Sequence, residues 1–348
     1  VYNGSPGRME ALFIYGGFLK RVLSGIQPSG NLHLGNYFGM MSRMIRYQEN
    51  NDLFCFIVNY HALTTVKDKE FLIDNTVQAA VDFFALGLDP DKSTFWIQSD
   101  VPQVCESTWL LSNVTNVGML ERATSYKDKL SKGIPANVGL YSYPILMASD
   151  ILLFGGEIVP VGKDQKQHIE MTRDIAEKFN QQYGEIFLIP DPDIDKTSQL
   201  VPGIDGQKMS KSYNNTIPIF GDEKKIRKKF MSIVTDSADV DEPKDIDSPI
   251  FHLYSLFLSL DDQKDLRERF LQPGLRYGDL KNEFFECFWE YFRPFREKRD
   301  YLSSHMDYVF NCLDVGAKKA SNVADEYLLS LIHISEPTRP ERISYAGF

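Results

Sequence analysis

The feature that most restricts this chain is a short run, Asp52 to Asn59 (DLFCFIVN). It is apolar almost throughout, has strand length and lacks polar alternation, so a strand built from it needs cover on both faces, as in a parallel sheet. The flanking pattern agrees. Lys20 to Ile26 (KRVLSGI) is a β-prone run ending in the turn Gln27-Pro28-Ser29-Gly30, and Leu34 to Gln48 reads as a helix. A helical pattern from about Asp68 to Leu86 stops at Gly87-Leu88-Asp89-Pro90 and gives way to a strand-like Thr94 to Gln98 (TFWIQ). Such alternation predicts an α/β fold around a parallel sheet.

Farther on, Val104 to Asn116, Met119 to Lys132 and Pro144 to Phe154 carry helical patterns, Glu157 to Val161 (EIVPV) reads as a short strand, and a helix is expected from about Asp164 to Gln182. Asp191 to Asn215 is rich in Pro, Asp, Ser and Gly and reads as a long, mobile loop. Helical signals dominate from Asp222 to Leu329, which puts a domain boundary near Gly221. The four cysteines, Cys55, Cys105, Cys287 and Cys312, form no Cys-x-x-Cys pair, so neither a disulfide scaffold nor a zinc knuckle is suggested. No stretch approaches ~18 uninterrupted apolar residues, and Leu12 to Leu19 has neither a basic lead nor a cleavage site, so a soluble, intracellular protein is expected. A net charge of −10 disfavours non-specific coating of nucleic acid, which relies on broad phosphate neutralisation. It leaves room for local basic patches such as Lys224 to Lys229, whose plainer reading is a solvated helix face.

Two segments carry chemistry. Gly25 to Gly30 has P-loop spacing, but Asn31 and Leu32 follow where Lys and Ser or Thr are required, and no Gly-x-Gly-x-x-Gly follows a strand. Instead, His33-Leu34-Gly35-Asn36 opens a helix: free N–H groups and the helix dipole favour an anion, Gly35 permits close approach, and His33 and Asn36 add donors on one face. A capped helix start with a surface histidine accounts for these residues equally well. The second segment, Lys208-Met209-Ser210-Lys211-Ser212, lies in a Gly- and Asp-rich loop. Two lysines three apart, with hydroxyls between them, suit a polyphosphate on which the loop closes.

Tyr143, Met147 and Asp150 fall at i, i+4 and i+7 on one face of an almost wholly apolar helix, so Asp150 is expected to be buried and in need of a partner. A backbone N–H or an arginine is one answer.

The segments SGIQPSGNLHLGNYFG (Ser24 to Gly39), VPVGKDQKQH (Val159 to His168) and KMSKS (Lys208 to Ser212), in this order, resemble the class I aminoacyl-tRNA synthetases, and within them the bacterial-type tryptophanyl enzymes. The resemblance covers about Val22 to Leu328. It implies a Rossmann-like catalytic domain over 20–220, with a helical insertion, the HIGH signature in its HLGN form and the KMSKS loop. A helical anticodon-binding region with a C-terminal helix follows over 221–330. Residues 1–19 are then an N-terminal extension with Met9 as a candidate start, and 331–348, which contain Pro337 and Pro340 without helical period, a non-native or disordered tail.

The implied activity is that of a tryptophan–tRNA ligase: L-tryptophan and ATP form tryptophanyl-adenylate and pyrophosphate, and the acyl group passes to tRNA(Trp). The enzyme would be a cytoplasmic homodimer without a membrane partner, using ATP with substrate-bound Mg²⁺ and no protein-only metal site. By the same resemblance, His33, Asn36, Lys208 and Lys211 are catalytic. ATP would be bound by Gln27, Pro28, Ser29, Gly35, Asn36, Gly162, Lys163, Asp164, Val201 and the loop Lys208, Met209, Ser210, Lys211 and Ser212. Tryptophan would be bound by Asp150 through the indole N–H, by Tyr143 and Gln165 at the amino group, and by His61, Met147, Val159 and Val161 as walls. His61 taken alone reads better as a satisfied core histidine. Lys163 departs from the acidic residue many relatives carry. Lys224 to Lys229 and the aromatic, basic stretch Phe284 to Tyr301 are the positions expected to meet tRNA, although the aromatic members also suit a helical core. A tyrosyl enzyme and a non-catalytic binding paralogue are the competing readings.

Overall fold

A computed structural model describes residues 19–28, 30–131, 133, 135, 137–162, 165–194 and 201–332. Ser29, Lys163, Asp164 and most of both terminal segments therefore lie outside the described residues. In chain order the elements are β1 (Arg21–Ile26), α1 (Leu34–Asn36), a π turn (Tyr37–Met41), α2 (Ser42–Arg46), β2 (Asp52–Ile57), α3 (Asn59–Ala62), α4 (Lys69–Ala85), β3 (Ser93–Ile97), α5 (Gln103–Ser112), α6 (Val117–Glu121), α7 (Thr124–Ser131), α8 (Val138–Leu152), β4 (Ile158–Pro160), α9 (Lys166–Tyr183) and β5 (Asp191–Asp193). Five more helices follow: α10 (Glu223–Met231), α11 (Pro249–Ser255), α12 (Leu260–Leu271), α13 (Tyr277–Ser304) and α14 (Met306–Ile332).

The strands form one parallel sheet in the order β3-β2-β1-β4-β5. β2 shows why both faces need cover. Leu53, Cys55 and Ile57 enter the core shared with α4 and the aromatic side of α13, whereas Phe54, Phe56 and Val58 enter the core shared with α5, α8 and α9. All six are buried. Each face of this one strand thus nucleates a separate apolar layer, which a two-residue period on a doubly covered sheet requires.

Four expectations are corrected. The helix read as starting at Pro144 begins at Val138, because Asn137 caps it by accepting the Leu140 N–H (2.8 Å) and the interior Pro144 is tolerated. The helix read over Met119 to Lys132 is broken into α6 and α7, where Gln167 Oε1 accepts the Thr124 N–H (2.8 Å) and replaces a helical bond with a tertiary one. Asp191–Asp193, assigned to a loop, is a strand: the sheet edge beside β4 supplies its partners, Asp191 N–H donating to Glu157 O (2.8 Å) and Val161 N–H to Asp193 O (3.2 Å). A sequence of Asp-Pro-Asp has no β-propensity of its own, and Pro192 is acceptable only at such an edge. Finally, the last helix continues past Leu329 to Ile332, with Leu331 buried.

That last helix packs back on the sheet and not on the other C-terminal helices alone. Gly316 of α14 lies so close to β3 that a Cβ there would sit 1.9 Å from the Phe95 carbonyl oxygen. Ala317, Ala320 and Ala324 continue the contact into the core behind the sheet. Gly316→Ala should therefore lower stability by about 1–3 kcal/mol or more in urea unfolding, because the obstacle is backbone and cannot swing aside. Gly278→Ala is the control: it lies in α13 with nothing within 4 Å of its missing Cβ, and should be neutral or slightly stabilising.

Candidate active site

The strand order reverses between β1 and β4, the place where open parallel sheets bind ligands beyond the carboxyl ends of their strands. β1 delivers Gln27 and Pro28 to this crevice, and β4 delivers Val161 and Gly162. The start of α1 is fixed there by backbone pairing. Leu34 N–H donates to Ile217 O and Ile219 N–H to Leu32 O, each at 3.0 Å, with His33 opposite Pro218. Asn36 Oδ1 accepts the His33 N–H (3.2 Å), closing the first turn. The segment Ile217 to Ile219 after the KMSKS loop is thus stitched to the HLGN turn, which brings the two signatures together.

Gly35 is where they touch. Its N–H faces Met209 Sδ at 3.2 Å, and a Cβ on it would lie 3.0 Å from His33 Nδ1 and 3.2 Å from Met209 Cβ. Lys211 Nζ reaches the same turn, 3.8 Å from where a Cβ of Gly30 would be. The loop read as mobile is, over its described part, held by Asn215. This residue is 2% exposed; its side-chain amide donates to Asp205 Oδ1 (2.8 Å) and Lys208 O (3.1 Å), and its Oδ1 accepts the Ser210 N–H (2.8 Å). Val201 pairs with the loop through its carbonyl, which accepts the Met209 N–H (3.0 Å), and Ser210 and Ser212 hydroxyls meet at 2.8 Å. Lys208 sits exposed beside Pro202. Asn215 escaped the sequence reading because Asn-Asn after a signature looks like any turn; its side chain acts on residues up to ten positions back.

The electrostatics follow from burial. His33 is held down to about 4, mainly by burial and then by the nearby Lys211 charge, so its ring is neutral at physiological pH. Its Nδ1 is buried with no hydrogen-bond partner among the described residues. Burial also lowers Lys211. A cradle of backbone N–H groups, a neutral imidazole and a partly desolvated ammonium invites a charged ligand, and the phosphate chain of a nucleotide matches it.

The second cluster lies under α8. Tyr143, Met147 and Asp150 do share a helix face, and Asp150 is 2% exposed. It is not a lone carboxylate. His61 Nε2 meets Oδ2 (2.7 Å), and Gln98 Nε2 donates to Oδ1 (2.8 Å) and Oδ2 (2.9 Å). Burial pushes the Asp150 carboxyl up, opposed by the bonds from His61 and Gln98. No arginine neutralises it in these bonds. Tyr143 stands edge-on to His61 (ring centres 6.3 Å apart), and its hydroxyl meets His168 Nε2 at 2.7 Å. Met147 and Val161 pack partly buried against the core that contains Val159, and Gln165 N–H donates to Gly162 O (3.0 Å) at the start of α9. Sequence reasoning missed Gln98 and His168, one placed on the turn after β3 and the other inside a quoted motif; neither has a local signal of function.

This constellation defines a class. The chain matches the family described as tRNA synthetases class I (W and Y) over residues 19–293, and it belongs to that family. Its relatives specify the branch: it is 55% identical to tryptophan–tRNA ligase of Fusobacterium nucleatum, covering 88% of this chain and 95% of that one, and 50% identical to tryptophan–tRNA ligase of Campylobacter jejuni, covering 88% and 96%. Among solved structures, tryptophanyl-tRNA synthetase from Campylobacter jejuni complexed with ADP and tryptophan superposes with a TM-score of 0.86 at 49% identity, covering 90% of this chain and 98% of that one. The chain falls in the bacterial tryptophanyl branch.

The depressed His33 fixes a sign. Between pH 6.5, its ordinary value, and about 4, the unfolded chain binds a proton that the folded chain refuses, so folding loses stability as pH falls through that window and the loss levels off below it. His33→Gln should flatten this part of the stability profile. The measurement is the difference in urea unfolding free energy between wild type and variant from pH 7 to 4; identical slopes would contradict the buried, neutral ring.

Proposed function

We infer that the chain is a working tryptophan–tRNA ligase: it activates L-tryptophan with ATP, releases pyrophosphate, and transfers the acyl group to tRNA(Trp). The observation that carries this is the joint presence of the phosphate cradle, with Lys211 already beside Gly30, and a buried acid on the helix face that also bears Tyr143 and Met147. In the first step the tryptophan carboxylate attacks the α-phosphorus of ATP and pyrophosphate departs. In the second, the terminal ribose hydroxyl of tRNA attacks the acyl carbon and AMP departs. No side-chain nucleophile is needed, so catalysis is positioning and charge stabilisation.

We assign His33 and Asn36 to the ATP phosphates, with the orphan His33 nitrogen donating or accepting there, and Lys208 and Lys211 to the departing pyrophosphate. Gly35 leaves room for the phosphates. Gln27, Pro28 and Ser29 form the first nucleotide turn, Gly162, Lys163 and Asp164 the second, and Val201 borders the base. Mg²⁺ would travel on the phosphates of its substrate. Tryptophan would lie against Met147, Val159 and Val161, with its ring N–H on Asp150 and its amino group near Tyr143 and Gln165. His61 then acts through Asp150 more than as a bare wall, which its 2.7 Å bond supports.

The domain reading is catalytic over 20–220 and anticodon-binding over 221–330. Exposed Lys224, Lys225 and Lys228 on α10 are the candidate phosphate contacts for tRNA, whereas Phe284, Phe285, Phe288 and Phe292 are fully buried and belong to the helical core. A cytoplasmic homodimer is the expected working form; exposed apolar side chains at Trp109, Val117 and Val138 favour a further protein contact.

Two variants test the assignment by ATP–pyrophosphate exchange with tryptophan, tyrosine and no amino acid. Asp150→Ala should weaken tryptophan-dependent exchange by about 10- to 100-fold, the order expected when a bond to a charged group is lost; unchanged exchange refutes its role. Lys211→Ala should depress kcat far more than it raises the tryptophan KM, and equal losses in both would remove it from the transition state.

A further inference from the structure

The carboxylate beneath the cleft is useful for recognising a ring N–H only if it is presented as an acceptor. Three side-chain bonds surround it, and they are not equivalent. His61 can exchange donor and acceptor roles between its two nitrogens, so it cannot impose a polarity on Asp150. Gln98 can. Its Oε1 accepts the backbone N–H of Tyr60 at 3.1 Å, a group that can only donate, so its NH₂ must be the end that faces Asp150. The flanking residue is pinned too: Asn59 Nδ2 donates to Ser99 Oγ (2.8 Å), and Ser99 N–H donates to Asn59 Oδ1 (3.1 Å). These ties join the carboxyl ends of β2 and β3, and Gln98 itself is 1% exposed.

We propose that Gln98 is a specificity-determining positioning residue: anchored on Tyr60, it donates to both Asp150 oxygens and commits that carboxylate to accept a hydrogen bond from the ring N–H of the amino acid substrate. The geometry leaves the vacancy in one place. Among the described residues Oδ2 receives both Gln98 and His61, whereas Oδ1 receives Gln98 alone, so Oδ1 keeps an acceptor site for the ligand. A protonated Asp150, by contrast, would offer an O–H, which a phenol oxygen could accept as readily as an indole N–H could be refused. Burial drives the acid in that direction, and the Gln98 amide opposes it. Selection for a donor-only ring atom is therefore built two residues deep, with the polarity set by a main-chain N–H that no tautomer can reverse.

This proposal rests on the reading of Asp150 as the tryptophan ring contact, and the test separates the two. ATP–pyrophosphate exchange is measured on the full chain with L-tryptophan, L-tyrosine and β-(benzothiophen-3-yl)-L-alanine, in which sulfur replaces the ring N–H at nearly the same shape. Wild type is compared with Gln98→Leu, which can neither donate nor accept, and Gln98→Glu, which keeps an acceptor for Tyr60 but, ionised, cannot donate to Asp150. The ratio of kcat/KM for two substrates on one variant does not depend on how much of that variant is folded. The expected result is strong wild-type preference for tryptophan over the sulfur analogue. In both variants that preference should collapse by about 10- to 100-fold, through a raised tryptophan KM with kcat and the analogue's kinetics changed little. Preserved preference in Gln98→Glu, or equal losses on every substrate in both variants, would reduce Gln98 to a structural residue and overturn the proposal. A wild type that does not prefer tryptophan over the analogue would overturn the Asp150 reading itself, and this inference with it.

Discussion

The site depends on one close approach, between the Gly35 N–H and Met209 Sδ. A lysine-bearing loop can help a phosphate leave only if it lies against the turn proposed to hold the phosphate, and here the distance between the two segments is set by an absent side chain. Any residue larger than glycine would meet both the His33 ring and the Met209 stem at or inside van der Waals contact. The space it would occupy is the same space in which His33 Nδ1 is left without a partner. Packing and chemistry therefore compete for a few cubic ångströms, and glycine resolves the competition in favour of chemistry. An unpaired buried polar atom costs stability unless a ligand completes it, so the cradle is an expense to the free chain and a gain only when occupied.

The pocket under α8 follows the opposite rule. His61 and Gln98 already meet Asp150 in the free protein, and the acid is ready-made. The difference matches the tasks proposed for the two regions. A phosphate chain that changes charge as the reaction proceeds is served by groups with spare capacity and a loop beside them, whereas selecting one aromatic ring among similar ones demands that the polarity be fixed before the ligand arrives.

How much of this could be read from residues alone depended on the range of the interaction. The doubly covered strand, the helix face bearing Tyr143, Met147 and Asp150, and the helix opening at His33 are local periodicities, and all appear where the sequence put them. What escaped was non-local. β5 exists only because an edge was vacant beside β4, and the break between α6 and α7 follows from Gln167 on another helix. Gln98 and Asn215 act through amides whose partners lie on other segments, so no spacing announces them. Asp150 shows both sides: burial and the need for a partner were legible from an apolar helix face, but the partners themselves, His61 and Gln98, arrive from the ends of two other strands and no local spacing names them.

The helical region is coupled to the phosphate cradle by packing as well as by sequence order. Tyr37, the first residue of the π turn behind the HLGN motif, lies edge-on to Phe292 of α13 with ring centres 5.1 Å apart, and its hydroxyl meets that of Tyr291 at 3.1 Å. Farther along α13, Arg299 donates to the buried Asp82 of α4 at 2.6 Å and to Gln78 at 2.5 Å, flanking a cavity of about 160 Å³ that Asn31 and Leu32 also line. The residue just after Asn36 thus packs on one long helix of the region proposed to read the anticodon, and the residues just before His33 share a cavity with it. A π turn carries an extra residue and strains the regular hydrogen-bond ladder, which makes it a natural place for a helix to change register. Movement of α13 on binding a large partner would reach the proposed phosphate turn through Tyr37, whereas the Arg299 pair would carry it to α4 and to the cavity that Asn31 and Leu32 line.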